Sequence, residues 1–341
     1  MKAAFVVDTN KVEIQDIDVP VIGNDEVLIK VKNVGVCGSD LHLFKGTHAF
    51  RKPPVILGHE IAGEIVEIGK DVTKFKIGDR VTVEPHIGCG ECEFCQKDLV
   101  NLCLNKKAPG TPGWIGTFAE YFNAPEKTVY KIADGISYEM GTLVEPLAVA
   151  IHAIDRITVP EKDTIAILGS GTIGLLTLVA AREAGYKNII CTDTQQFNLD
   201  MAMEQGATLA LNPLEEDVVA KVLEFTEGRG VDVALVCAGS KVIVDQASSM
   251  TRRRGEVGIV AMITEQIPVN TYNFVFNEIS LFGAMTYETK DFAKASKMIN
   301  NGLDLNAFVT QRMDLDESQQ ALDVLDQKTE NVVKVLIEVN K

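Results

Sequence analysis

The sequence predicts an α/β protein of two domains, a β-rich domain at the N-terminus and a doubly wound parallel sheet behind it. Strands and helices alternate regularly beyond residue 160, the pattern of a parallel sheet covered on both faces. Within that alternation a G-x-G-x-x-G run, Gly169-Ser-Gly171-Thr-Ile-Gly174, stands directly between an apolar strand and a helix. The length, 341 residues, exceeds what a single hydrophobic core usually serves.

Composition narrows the function classes. A hydrophobic content of 46% with scattered charge describes an ordinary globular chain. The net charge of −15 argues against nucleic acid or an anionic membrane as a general partner. No apolar run reaches the ~20 residues that span a bilayer. Met1-Lys2-Ala3-Ala4 leads straight into a strand-like stretch rather than a signal peptide, so a cytoplasmic protein is expected. The seven cysteines are an odd number with four clustered, which in that compartment suits metal binding better than disulfides.

In chain order, Lys2–Val7, Val12–Ile17 and Glu26–Val34 alternate apolar and polar residues between Pro and Gly-Asn-Asp punctuation, and read as short strands. Gly58–Ile68 and Asp79–Val83 continue them. Between about residues 86 and 105 come Cys89, Cys92, Cys95 and Cys103. Four thiolates at such tight spacing close a tetrahedron around one zinc with no open position, a structural lobe.

A second donor set is more dispersed. Cys37 lies in Gly-Val-Cys-Gly-Ser-Asp, His59 and Glu60 follow Gly58, and Glu145 lies in Val-Glu-Pro-Leu. A thiolate, an imidazole and one or two carboxylates suit a zinc that keeps an open position, hence a catalytic one. The pattern turns helical around Met140–Ile154, with Pro146 required to sit early in the helix or at a kink.

Thr164–Leu168 then forms the strand before the glycine run, and a helix continues through Ala184. Gly169 permits a tight turn, Gly171 lets backbone approach a pyrophosphate, and Gly174 allows close helix–strand packing. With Thr172 and Ile173 they open a helix whose free N–H groups face the phosphates. The next strand, Asn188–Thr192, ends at Asp193, which suits both ribose hydroxyls and repels a 2′-phosphate. No Lys or Arg lies between Asp193 and Asp200, so NAD is expected over NADP. Strands at Thr208–Leu211, Val231–Val236, Glu256–Val260 and Ile279–Phe282 follow, with helices at Glu215–Thr226 and Val242–Met250. Helices Asp291–Asn301 and Ser318–Asp326 and a strand Val332–Val339 close the chain.

The stretches GVCGSDLH, LGHEIAGEIVEIG, FKIGDRVTVEP, CGECEFC, GTFAEY, LVEPLAVAIHA and GSGTIGLL together resemble the zinc-dependent medium-chain dehydrogenases, within them the sorbitol and 2,3-butanediol dehydrogenases. The resemblance implies a GroES-like catalytic domain over residues 1–152, a Rossmann domain over 153–287, and a tail, 288–341, that returns to the first. It implies a proton relay from Ser39 through His42, and zinc held by Cys37, His59 and Glu60, with Glu145 touching the metal directly or through its water. Two positions depart from relatives, Thr172 where Pro is common and Asn198 where many carry Arg; both bear on cofactor affinity rather than identity. The expected activity is reversible oxidation of a secondary alcohol, a vicinal diol or polyol, by a homo-oligomer (dimer or tetramer) with two zinc ions per subunit. The resemblance leaves L-threonine 3-dehydrogenase activity open. A catalytically silent NAD-binding sensor or structural protein is the alternative of another class, and it would have no need of Cys37, Ser39, His42, His59 and Glu60.

Overall fold

The computed structural model describes residues 1–48, 51–327 and 331–340. In chain order the first elements are β1 (Lys2–Asp8), β2 (Lys11–Asp16), β3 (Glu26–Gly35), α1 (Gly38–Phe44), β4 (Val55–Ile56), β5 (Glu60–Ile68), β6 (Arg80–Val83), β7 (Tyr121–Pro125), β8 (Val129–Lys131), α2 (Tyr138–Thr142) and α3 (Val144–Asp155). The second series is β9 (Thr164–Leu168), α4 (Thr172–Glu183), β10 (Asn188–Thr192), α5 (Gln196–Glu204), β11 (Leu209–Leu211), α6 (Val218–Phe225), β12 (Val231–Val236), α7 (Ile243–Met250), β13 (Thr251–Ile259), α8 (Thr271–Asn277) and β14 (Ser280–Gly283). The chain ends with α9 (Thr289–Asn300), β15 (Val309–Asp314), α10 (Ser318–Gln327) and β16 (Lys334–Glu338).

These elements form two compact units, Met1–Glu145 with Glu288–Lys341, and Pro146–Tyr287. The first division falls between Glu145 and Pro146, inside α3, where the sequence reading places it after residue 152. The helix is continuous there, so no loop or composition change marks the crossing. Pro146 occupies the first turn of α3, where its missing N–H has no partner to lose.

In the first unit a seven-stranded sheet runs β15-β16-β3-β5-β6-β8, with β7 also on β3, and a three-stranded sheet runs β2-β1-β4. Val27, Ile29 and Val31, alternate residues of β3, are fully buried and share a core with Ile61, Ile65, Val81, Phe122, Val335 and Ile337. The closing strand β16 pairs antiparallel with β3, Leu336 opposite Gly35 and Ile337 opposite Val34. The tail is thereby part of the first unit's main sheet.

In the second unit six parallel strands run β11-β10-β9-β12-β13-β14. Counted within the unit this is 3-2-1-4-5-6, whose order reverses between β9 and β12, the place where such sheets bind ligands. Both central strands are buried along their whole length, as strands covered by helices on two faces must be. Asp232 in β12 is the one charged residue in these two strands. It accepts Arg252 Nε at 2.6 Å, Arg229 Nη2 at 2.5 Å and the Thr164 N–H at 3.0 Å, so its burial is compensated.

Candidate metal and dinucleotide sites

β3 ends at Gly35 and delivers Cys37 to the start of α1, where it is the N-cap residue in extended backbone. Asp40, three residues on, turns back to accept the Cys37 N–H at 3.0 Å and also receives the Gly58 N–H at 3.2 Å. The second of these bonds joins the Cys37 turn to the His59 turn. Gly58 adopts a φ of +90°, and a Cβ there would lie 2.3 Å from the Phe118 ring, so only glycine makes this bend. The bend is what allows the consecutive residues His59 and Glu60 to offer donors to one point.

The donor atoms of Cys37, His59 and Glu60 lie within 4.8 Å of one another. Glu145 stands outside that set, buried in the first turn of α3. Asp40 Oδ1 lies 3.7 Å from His59 Nδ1. Burial opposes the charge on the His59 ring, but Asp40 and Cys37 outweigh it and raise the imidazole well above its ordinary pKa. Burial likewise pushes the Asp40 carboxyl up, and the His59 charge together with the Cys37 N–H brings it below its ordinary value. An imidazole that must give up its proton to ligate, backed by a carboxylate, is the arrangement found behind metal-bound histidines.

Sequence reasoning missed Lys334. From β16 its ammonium donates to Glu60 Oε1 at 2.8 Å, Glu60 Oε2 at 2.7 Å and the Val36 carbonyl at 3.1 Å. Glu60 itself is fully buried against Gly35, where any Cβ would fall 1.8 Å from Oε2. Nothing in the local sequence signals this pairing, since the partners are 274 residues apart. Asp40 was legible in principle: a Cys at N-cap with an acid three residues later is a capping-box spacing. Ser39 and His42 lie three residues apart on α1, hence on one face, both half-buried, with His42 Nδ1 3.2 Å from Thr47 Oγ1.

The four-cysteine lobe is compact. The Sγ atoms of Cys89, Cys92, Cys95 and Cys103 lie within 4.8 Å of one another, and Cys89 Sγ is 3.9 Å from Cys95 Sγ. A tetrahedral zinc with Zn–S bonds of about 2.3 Å sets sulfurs about 3.8 Å apart, so the donor set fits that ion. Backbone N–H groups of Glu91 and Cys92 bring the Cys89 thiol down to about 7. At Cys95 the Gly90 N–H favours the thiolate, yet burial and the three other sulfurs push the thiol up to about 12. Four sulfurs this close cannot ionise together without a cation among them.

In the second unit Gly169 has a φ of +99°, and a Cβ on Gly174 would lie 1.8 Å from the Gly169 carbonyl, so strand end and helix start are in direct contact. Gly171 is the N-cap of α4 and is open on its Cβ side, with Thr172 and Ile173 half-buried in the first turn. Asp193 accepts the Ser170 N–H at 2.7 Å and the Gln195 N–H at 2.9 Å. The loop, the helix N-terminus and the acid fit a dinucleotide. Among the described residues no helix is long and apolar enough to cross a membrane.

Comparison with known proteins agrees with this architecture. Residues 23–134 match the alcohol dehydrogenase GroES-like domain family, and residues 172–301 match the zinc-binding dehydrogenase family. The chain is 38% identical to the sorbitol dehydrogenase of Bacillus subtilis (strain 168), covering 100% of this chain and 98% of that protein. It is 36% identical to the D-arabitol-phosphate dehydrogenase of Enterococcus avium, covering 95% and 93%. The crystal structure of 2R,3R-butanediol dehydrogenase from Bacillus subtilis superposes with a TM-score of 0.91 at 33% identity, covering 99% of each chain. The chain therefore belongs to the zinc-dependent medium-chain dehydrogenases, as an oxidoreductase of the alcohol and polyol type. Zinc and a nicotinamide dinucleotide are its cofactors.

Proposed function

We propose that the protein is an NAD-dependent dehydrogenase that interconverts one secondary alcohol of a vicinal diol or polyol with its ketone. The observation that carries this reading is the convergence of Cys37, His59 and Glu60 on one point, a donor set that leaves zinc an open position. Bound there, zinc would supply Lewis-acid polarisation of the substrate oxygen, and NAD the hydride acceptor.

The remaining tasks belong to the chain. Cys37 and His59 are the firm ligands, with Asp40 orienting the imidazole. Ser39 takes the substrate hydroxyl proton and His42, on the same face of α1, passes it outward. Glu60 is a ligand whose carboxylate is also held by Lys334, and Glu145 acts by its buried charge. Gly169, Gly171 and Gly174 seat the pyrophosphate, and Asp193 selects NAD by accepting ribose hydroxyls where a 2′-phosphate would be repelled. Cys89, Cys92, Cys95 and Cys103 hold a second, structural zinc. The diol or polyol reading is supported by three relatives whose named substrates carry adjacent hydroxyls.

The test is NAD reduction by zinc-loaded enzyme against 2,3-butanediol, sorbitol, an arabitol phosphate and L-threonine. A diol or polyol is expected to give the highest kcat/KM. Preference for threonine, or no turnover of any of them, would overturn the assignment.

A further inference from the structure

Among the described residues Lys334 is the one lysine or arginine whose residue is buried, at 2% exposure. Its ammonium has three hydrogens to donate and three acceptors in reach, both Glu60 oxygens and the Val36 carbonyl. Cys37 and Glu145 also act on its charge. The lysine therefore holds the same Glu60 carboxylate that a zinc at Cys37, His59 and Glu60 would use. A buried lysine and a divalent cation contacting one carboxylate repel each other, strongly so away from water. If the lysine were only a brace for β16, its replacement would loosen the metal pocket. If it competes for Glu60, its replacement would tighten the pocket.

We propose that Lys334 is a positioning residue that shares the Glu60 carboxylate with the catalytic zinc, keeping that metal exchangeable and keeping Glu60 neutralised when the metal is absent. This rests on the assignment of Cys37, His59 and Glu60 as the catalytic metal site. The two roles use one ion pair. With zinc bound, the ammonium withdraws donor strength from Glu60. Without zinc, it prevents an unpaired carboxylate in a site where Glu60 is fully buried.

The experiment measures zinc extraction from full-length, zinc-loaded protein by a colorimetric chelator, taking the phase lost in Cys37→Ser as the catalytic one. Lys334→Met should slow that phase about tenfold, the scale at which outer partners of metal ligands act. The metal-free form of the same variant should melt lower and be restored by added zinc. Unchanged or faster extraction in folded Lys334→Met would overturn the proposal. If that variant does not fold, Glu60→Gln is compared with Glu60→Gln/Lys334→Met. Zinc should leave the double variant more slowly, because the unpaired ammonium is gone, and equal or faster loss would count against competition. Should Cys37→Ser retain both zinc ions, the assignment of the metal site fails and this proposal falls with it. Loss of one zinc in Cys37→Ser, with extraction unaltered in Lys334→Met, defeats the sharing alone.

Discussion

The carboxylate of Asp193 accepts the Ser170 N–H at 2.7 Å, so the acid that ends β10 and the glycine turn that ends β9 are bonded together. Each Asp193 oxygen takes one backbone N–H, from Ser170 or Gln195, and retains a lone pair for a further donor. The acid is therefore oriented before cofactor arrives.

Cofactor choice should depend on that charge. We expect wild-type protein to favour NAD over NADP at least about tenfold in kcat/KM, or about 1.4 kcal/mol. Asp193→Ala should erode the preference mainly by weakening use of NAD. Asp193→Asn keeps one acceptor oxygen but no charge, and should fall between them. A wild-type preference for NADP in parallel initial-rate measurements would contradict this account.

The sulfur lobe predicts a different phenotype. Cys92→Ser removes one of four converging sulfurs and leaves Cys37, His59 and Glu60 unaltered. Elemental analysis should find two zinc ions per chain in the wild type and one in this variant, with a lower melting temperature. Full metal content and normal stability in Cys92→Ser would remove the lobe's structural role.

What was legible in the sequence follows the range of the forces involved. The strand, Gly169-to-Gly174 turn, helix and Asp193 could be read because backbone sterics demand glycine within a short span. The sulfur lobe was readable for the same reason, since fifteen consecutive residues contain its four donors. Lys334 was not, because a lysine in a short closing strand reads as a solvent-facing residue until its partner 274 residues away is known. The helix α8, Thr271–Asn277, was also missed. Its Tyr-Asn-Phe-Val-Phe run has strand-like propensity, and Asn270 capping the Tyr272 N–H tips it to helix. Tyr272, Val275 and Phe276 remain exposed along one side, so no buried stripe announces the helix either.

Asp232 gives a stability prediction with a definite sign. Its burial raises the carboxyl, but the Thr164 N–H, Arg252 and Arg229 outweigh that and hold it below the ordinary carboxylate value. A depressed folded-state pKa contributes stability above the unfolded value, about 3.9, and loses it as pH falls through the folded one. Asp232→Asn should therefore cost roughly 3 kcal/mol at neutral pH, with the gap to wild type closing in acid. Denaturant titrations of both proteins from neutral pH down to about 3 would read this, and a gap that widened in acid would refute it.

The last prediction separates Glu60 from Glu145 at the proposed catalytic zinc site. Glu60 offers one carboxylate oxygen within the same 4.8 Å group as Cys37 and His59, whereas Glu145 does not. Glu60→Gln replaces an anionic donor by a weaker neutral one and leaves the Lys334 ammonium without its counter-charge. Zinc content after dialysis should fall, and thermal stability should fall with it. Glu145→Gln removes a buried charge outside the donor group, so zinc content should hold while kcat declines. Measuring metal and kcat on the same preparations gives two coordinates for each variant. Equal zinc loss in both would mean that Glu145 shares the coordination sphere during the metal's residence. Wild-type values for both would remove the carboxylates from the site and leave Cys37 and His59 to hold the ion with other partners.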